Sequence, residues 1–255
     1  MKVMVVDERK ELIREPYVVR LGGWTLERYL REAPEHARWE FAYGEVVVYS
    51  PASAEHQDRV RFLLRLLDGY CEVRRWGKVL MGPAAVQLSP EVVREPDVFV
   101  LAPEDAGRAR GTPLQVRPVL VVEVASAPTR NIDLREKVLD YAQAGIPEYW
   151  VVDADRSEVT VHRLRAGGYE VTVLTGGRLA SDAVPGFWLE VGWLFQQPMP
   201  SVGDCLARVL SAEAGPPERR VEPAARIPPA DRRPRDSRHD GHITEPAHHQ
   251  GAGSS

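Results

Sequence analysis

Two short Val-rich runs, Val98-Phe-Val-Leu101 and Val119-Leu-Val-Val-Glu123-Val-Ala125, each come with one carboxylate. Asp97 stands just ahead of the first run, after Pro96, and Glu123 lies inside the second. Apolar runs of this length and β-branched content read as strands. A carboxylate in a buried strand is costly unless a cation or a metal meets it. The connection from Ala102 to Arg117 carries Pro103, Gly107, Gly111 and Pro113, so it reads as a turn-rich loop. If the runs form an antiparallel hairpin with Ala102 facing Pro118, Asp97 lies directly opposite Glu123. Opposed residues share one face of a sheet, with Cβ atoms roughly 4.5–5.5 Å apart. Two carboxylates that close repel, so either one is protonated or a cation lies between them. A register slip of one residue would separate them.

The next element supplies the amine. Asp133 to Gln143 reads as a helix with Leu134, Val138, Tyr141 and Ala142 as its buried stripe, Asn131 or Asp133 as its cap, and Gly145-Ile-Pro147 as its stop. Lys137 borders that stripe, and its stem can run over apolar surface to bring the ammonium to the acids. Two interpretations of the trio stand side by side. In one, Asp97 and Glu123 hold Mg²⁺ or Mn²⁺, which favour carboxylate, carbonyl and water oxygens. In the other, Asp97 caps a turn and Glu123 forms an internal ion pair with Lys137.

Composition narrows the class. The chain has 255 residues, 44 % hydrophobic and 27 % charged, enough for one good core plus extensions. The net charge of −4 argues against a protein that coats nucleic acid through bulk positive charge, but leaves room for an acidic metal site with a basic rim. No apolar run is long enough to span a membrane, and the N-terminus does not resemble a signal peptide. Only Cys71 and Cys205 occur, outside any metal-type spacing, which points to reduced thiols and a cytoplasmic location. There is no Walker-type loop, no dinucleotide fingerprint and no Gly-x-Ser-x-Gly elbow.

Along the chain, residues 1–23 read as an irregular N-terminal arm with one short strand at Met4 to Val6. A helix follows at Thr25 to Ala33, then a hairpin at Trp39 to Tyr49 turning at Tyr43-Gly44. Ser50-Pro51-Ala-Ser53 opens a long helix, Ala54 to Arg74. Lys78 to Leu88 reads as a strand broken by Gly82-Pro83. Glu148 to Asp153 is a strand, followed by a meander through Leu174, with Phe187 to Phe195 closing the domain. A short helix falls within 196–214. Residues 215–255, rich in proline and poor in large apolar residues, read as a disordered tail that includes His239, His242, His248 and His249.

Seven segments in this order carry a resemblance. They are Trp24-Thr-Leu-Glu-Arg-Tyr-Leu30, Trp39-Glu40-Phe-Ala-Tyr-Gly44-Glu45, Ser50-Pro51 with His56-Gln57, Arg94-Glu95-Pro96-Asp97, Val121-Val-Glu123-Val-Ala-Ser126, Lys137 with Tyr141, and Ala144-Gly145-Ile-Pro-Glu148-Tyr-Trp150-Val-Val-Asp153. Together they resemble the Uma-two family of restriction-endonuclease-like proteins, within the PD-(D/E)XK nucleases. The usual lysine position, two residues after the acid, holds Ala125 here, and the family generally displaces that lysine onto the following helix. The resemblance covers about residues 24–195. It implies an α/β fold: a restriction-endonuclease-like core with a central mixed sheet flanked by helices. It also implies a metal-dependent endonuclease acting on DNA, with Asp97, Glu123 and the Val124 carbonyl holding the metal and Lys137 serving the nucleophile or the phosphate charge.

Glu40 is then either a further carboxylate near the metal or an ordinary exposed strand residue. His56 either contacts phosphate and assists proton transfer or caps its helix locally. Ser126, Thr129 and Arg130, in a strand-to-helix loop, suit a phosphate backbone or a helix cap equally. Two other functions remain open: a catalytically silent nuclease-fold module that binds DNA or a protein, and a homodimer platform.

Overall fold

The computed structural model describes residues 16–34, 38–211 and 224–227. In chain order the first elements are β1 Val18–Gly22, α1 Leu26–Glu32, β2 Trp39–Ala42, β3 Glu45–Tyr49 and α2 Ala54–Arg74. Next come β4 Lys78–Met81, β5 Val86–Ser89, β6 Val92–Arg94, β7 Val98–Leu101, the single-turn α3 Pro103–Ala106 and β8 Leu120–Ala125. A π-helical turn, Ile132–Glu136, runs into α4 Lys137–Gln143. The chain continues through β9 Glu148–Asp153, β10 Glu158–Arg165, β11 Gly168–Leu174, β12 Arg178–Ala180, β13 Trp188–Glu190, α5 Val202–Ser211 and β14 Ala224–Ile227.

The main sheet has seven strands in the order β14-β11-β10-β9-β8-β7-β4. It is mixed: β8 and β9 pair in parallel, joined across α4, while β7 and β8 pair antiparallel. A second, five-stranded sheet, β1-β3-β2-β6-β5, packs its own aromatic core of Trp24, Tyr29, Trp39 and Phe41.

The central hairpin has the register that opposes the two acids. Val98 pairs with Val122, Phe99 with Val121 and Val100 with Leu120, so Asp97, one residue further out, is aligned with Glu123. Strand alternation then divides the faces. Val98, Val100, Leu120, Val122 and Val124 join the core beneath α2, with Leu63, Leu66 and Leu67. Phe99, Val121 and Ala125 pack on the opposite side with Val138 and Tyr141 of α4. The acids belong by alternation to this second face.

Local sequence accounts for the elements that carry the site. Ser53 caps α2, its hydroxyl accepting from the His56 amide at 3.2 Å. The β2–β3 turn places Tyr43 at φ 52° and Gly44 at φ 81°, the left-handed pair that suits a two-residue hairpin. The helix expected from Asp133 starts instead with the wider π turn, in which the Lys137 amide reaches back to the Ile132 carbonyl. Such turns are typically single insertions in an α-helix.

Three expectations change. β1 lies inside the expected arm and adds to β3, with Val18 opposite Tyr49 and Gly22 opposite Glu45, so those residues are part of a sheet. The broken strand at Lys78 to Leu88 is two strands in different sheets, β4 against β7 and β5 against β6. Within the expected disordered tail, Ala224–Ile227 pairs with β11 as an edge strand. The expected strand at Met4 to Val6, the tail histidines His239, His242, His248 and His249, and the rest of the tail lie outside the described residues.

Candidate active site

The displaced lysine, the paired acids and the β2 glutamate meet in one buried cluster. Lys137 has no exposed surface. Its Nζ lies 2.8 Å from Glu123 Oε1, 3.1 Å from Glu40 Oε1 and 3.2 Å from Asp133 Oδ1. The Tyr141 hydroxyl, one turn along α4, donates to Glu123 Oε1 at 3.0 Å. Glu40 is also fully buried. Its Oε2 accepts from the Tyr49 hydroxyl at 2.6 Å and from Arg94 at 2.8 Å, and its Oε1 accepts from the Glu95 amide at 3.1 Å. The alternative of an exposed strand glutamate is therefore wrong. Trp39, Glu40, Phe41 and Ala42 are all buried, because β2 lies between β3 and β6.

Asp97 uses Oδ2 to accept from the Val124 amide at 2.7 Å, with His56 Nε2 at 3.4 Å. His56 thus joins the site through Asp97, and its Nδ1 is buried without a hydrogen-bond partner. The N–H and C=O of one strand residue leave on the same edge. The Val124 carbonyl accordingly faces the edge of β8 that carries Asp97.

The cation between Asp97 and Glu123 is Arg38. One guanidinium nitrogen lies 3.0 Å from Asp97 Oδ1, the other 3.2 Å from Glu123 Oε2. Its carbon stands 5.0 Å from the Tyr49 ring centroid. Nothing local in the sequence singles out this arginine, which precedes Trp39 in a charged stretch. Arg94, Glu95, Asp133 and Asp140 are further buried members. Arg94 bridges Glu40 and Asp140, and the Tyr43 hydroxyl donates to Asp140 at 2.8 Å. Arg94-Glu95 belongs to one of the seven family-like segments and Asp133 is a cap candidate, but only the fold gives them these partners.

The electrostatics of the cluster are lopsided. Among the described residues, Glu40, Glu95, Asp97, Glu123, Asp133 and Asp140 face only Arg38, Arg94 and Lys137 as permanent cations. Burial pushes Glu95 up to about 8, with Glu40 adding to it. Burial also raises Glu123 and Asp133; Asp97 adds to both rises and Lys137 opposes both. Glu40 and Asp97 go the other way. Burial disfavours their ionised forms, but Lys137 and Arg94 hold Glu40 near 2, and Arg38 and His56 hold Asp97 below the usual carboxylate range.

A cavity of about 520 Å³ opens beside the cluster, lined by Arg38, Tyr49, Gln57, Gly82, Glu95 and Asp97. Another cavity, of about 610 Å³, lies among Gln87, Arg108, Gln115 and Arg117 and touches none of these groups. Among the described residues no three His, Cys, Asp or Glu side chains form a ready-made metal cage. The residues still fit a hard divalent ion. Two carboxylates and a strand-edge carbonyl suit Mg²⁺, which keeps several of its waters, and the surplus of acids over bases favours added positive charge.

The loop from Ser126 to Arg130 is used internally. The Thr129 hydroxyl accepts from the Ser126 amide at 3.0 Å, and Arg130 donates to Asp153 at 2.6 Å and to Asp155 at 2.6 Å. The Thr129 hydroxyl thus closes a local turn ahead of the helix, and Arg130 is tied to the end of β9.

Comparison with other proteins bears on the fold and the family. A solved structure of a putative nuclease belonging to DUF820 from Anabaena variabilis ATCC 29413 is similar with a TM-score of 0.53 at 14 % identity, over 73 % of this chain and 99 % of that one. At that identity the likeness concerns the fold. No curated protein matches the chain. Residues 26–192 match the model of the Uma2 family, described as "Putative restriction endonuclease", and the chain belongs to that family.

Proposed function

We propose that the protein is a divalent-metal-dependent endonuclease that hydrolyses DNA phosphodiester bonds. The observation that carries this reading is the convergence of Asp97, Glu123 and Lys137, from three separate elements, beside a cavity open to a ligand. Asp97, Glu123 and the Val124 carbonyl would hold Mg²⁺ or Mn²⁺. When bound, such an ion lowers the pKa of water and stabilises charge on a phosphodiester.

The chain's own residues do the rest. Lys137, kept protonated by Glu123, Glu40 and Asp133 despite its burial, supplies a fixed positive charge for the scissile phosphate or holds the attacking water. Fixed charges of this kind need no rearrangement as the transition state forms. Glu40 is a positioning residue: pinned by Arg94, Tyr49 and the Glu95 amide, it fixes the ammonium. His56, with its Nε2 3.4 Å from Asp97 Oδ2, orients that carboxylate. Duplex cutting would bring two copies together, and a homodimer suits this reading.

Cleavage of supercoiled plasmid with Mg²⁺ or Mn²⁺ tests the proposal. Asp97→Ala and Glu123→Ala should each lower the rate by at least about 100-fold. Full activity in Asp97→Ala would remove the proposal. A second reading, a catalytically silent module that binds DNA or a protein, draws on one observation: Arg38 and Lys137 already pair every acid the metal would use. Calorimetric titration with Mn²⁺ separates the two, because a silent module shows no binding that depends on Glu123.

A further inference from the structure

We propose that Arg38 is the resident counter-ion of the Asp97–Glu123 pair, that a divalent cation enters by displacing it, and that the released guanidinium then meets a phosphate of bound DNA. This inference rests on the metal-dependent reading above.

The argument is one of available oxygens. Asp97 Oδ2 is taken by the Val124 amide and His56, and Glu123 Oε1 by Lys137 and Tyr141. The oxygens that remain, Asp97 Oδ1 and Glu123 Oε2, are the two that Arg38 holds, one with each guanidinium nitrogen. Any ion that bridges the two acids on their remaining oxygens must take the place of that fork.

Of the three cations in the cluster, Arg38 alone has a route out. Its side chain is 26 % exposed, whereas Lys137 and Arg94 are at 0 %. It lines the 520 Å³ cavity, so the guanidinium can leave the acids without leaving the site. Its backbone is anchored to β3 through the Arg38 carbonyl, which accepts from the Tyr49 amide at 3.2 Å. The exchange therefore needs only side-chain rotation. A planar fork matched to two carboxylate oxygens is equally matched to two phosphate oxygens.

The test is Mn²⁺ titration by calorimetry on the full chain, comparing wild type with Arg38→Ala and with Arg38→Gln, which keeps a polar amide should the alanine variant fold poorly. Both variants should bind Mn²⁺ at least about tenfold more tightly, or bind it where the wild type does not. Arg130→Ala, which removes a charge at the rim, should change the affinity less than about threefold. Fluorescence anisotropy with a short duplex in Ca²⁺ should show weaker DNA binding by both Arg38 variants.

Unchanged or weaker Mn²⁺ binding in both variants, with the wild type binding normally, would overturn the displacement and leave the nuclease reading standing. An equal gain in Arg130→Ala would reduce the effect to bulk charge and overturn it as well. Absence of Mn²⁺ binding in every variant would sink both readings. Tighter Mn²⁺ binding with undiminished duplex affinity would overturn the phosphate role.

Discussion

Two ionic clusters flank the connection between β8 and α4, and burial makes them different. At the rim, Arg130 forks onto Asp153 and reaches Asp155, with Asp155 well exposed. In the interior, Lys137 meets Glu123, Glu40 and Asp133 with none of the four more than slightly exposed. Residue types and distances are similar. In the rim cluster Asp153 is buried, but Arg130 and Asp155 keep contact with water, which screens the charge and lowers what the pair is worth. In the interior each charge has lost its hydration, and the arrangement holds only while every partner is present. Chemistry that acts on a phosphate needs the second kind, because fixed charges in a water-poor site act at full strength.

Removing Lys137 should break this contrast most strongly. Lys137→Ala leaves Glu123, Glu40 and Asp133 without their shared cation and is expected to lower folding stability by about 3–5 kcal/mol, measured by urea unfolding. A loss below about 1 kcal/mol would place the interior cluster in the same class as the rim.

A smaller effect follows from Glu95, whose carboxyl burial raises from 4.5 to about 8. Between those values the unfolded chain releases a proton that the folded chain keeps, so this residue's contribution to stability falls as pH rises through the window. Glu95→Gln should flatten that decline, by up to a few kcal/mol between the two ends, in unfolding curves recorded from pH 4.5 to 8. An unchanged slope would mean that Glu95 is effectively solvated. Least affected should be Arg130→Ala, with a loss of about 1 kcal/mol or less that shrinks further in high salt. A large, salt-independent loss in that variant would erase the distinction between the clusters.

How far the site was legible follows from the range over which each signal acts. Asp97 opposite Glu123 could be read because turn residues and Val runs limit the hairpin to a few registers, and one of these is observed. The bounds of α2, Ala54–Arg74, follow from the Ser53 cap and the apolar spacing. β1 was hidden because its pairing partner, β3, lies more than twenty residues away and the strand is only half-buried. The π turn was hidden because no side-chain pattern distinguishes it from an ordinary first turn. Arg38, Arg94 and Asp140 were hidden for a third reason. In sequence they are charges among many charges, and only packing decides which are taken out of water.

Alternation of apolar residues, turn chemistry and caps determined the central strands, narrowed the hairpin register to a few choices and marked the helix that carries Lys137, because these depend on neighbours along the chain. Which cation stands between the two acids, which carboxyls lie beyond the reach of water, and which arginine can still turn outward were decided by the tertiary structure alone. Those properties depend on distance and burial between elements far apart in sequence, and no local pattern encodes them.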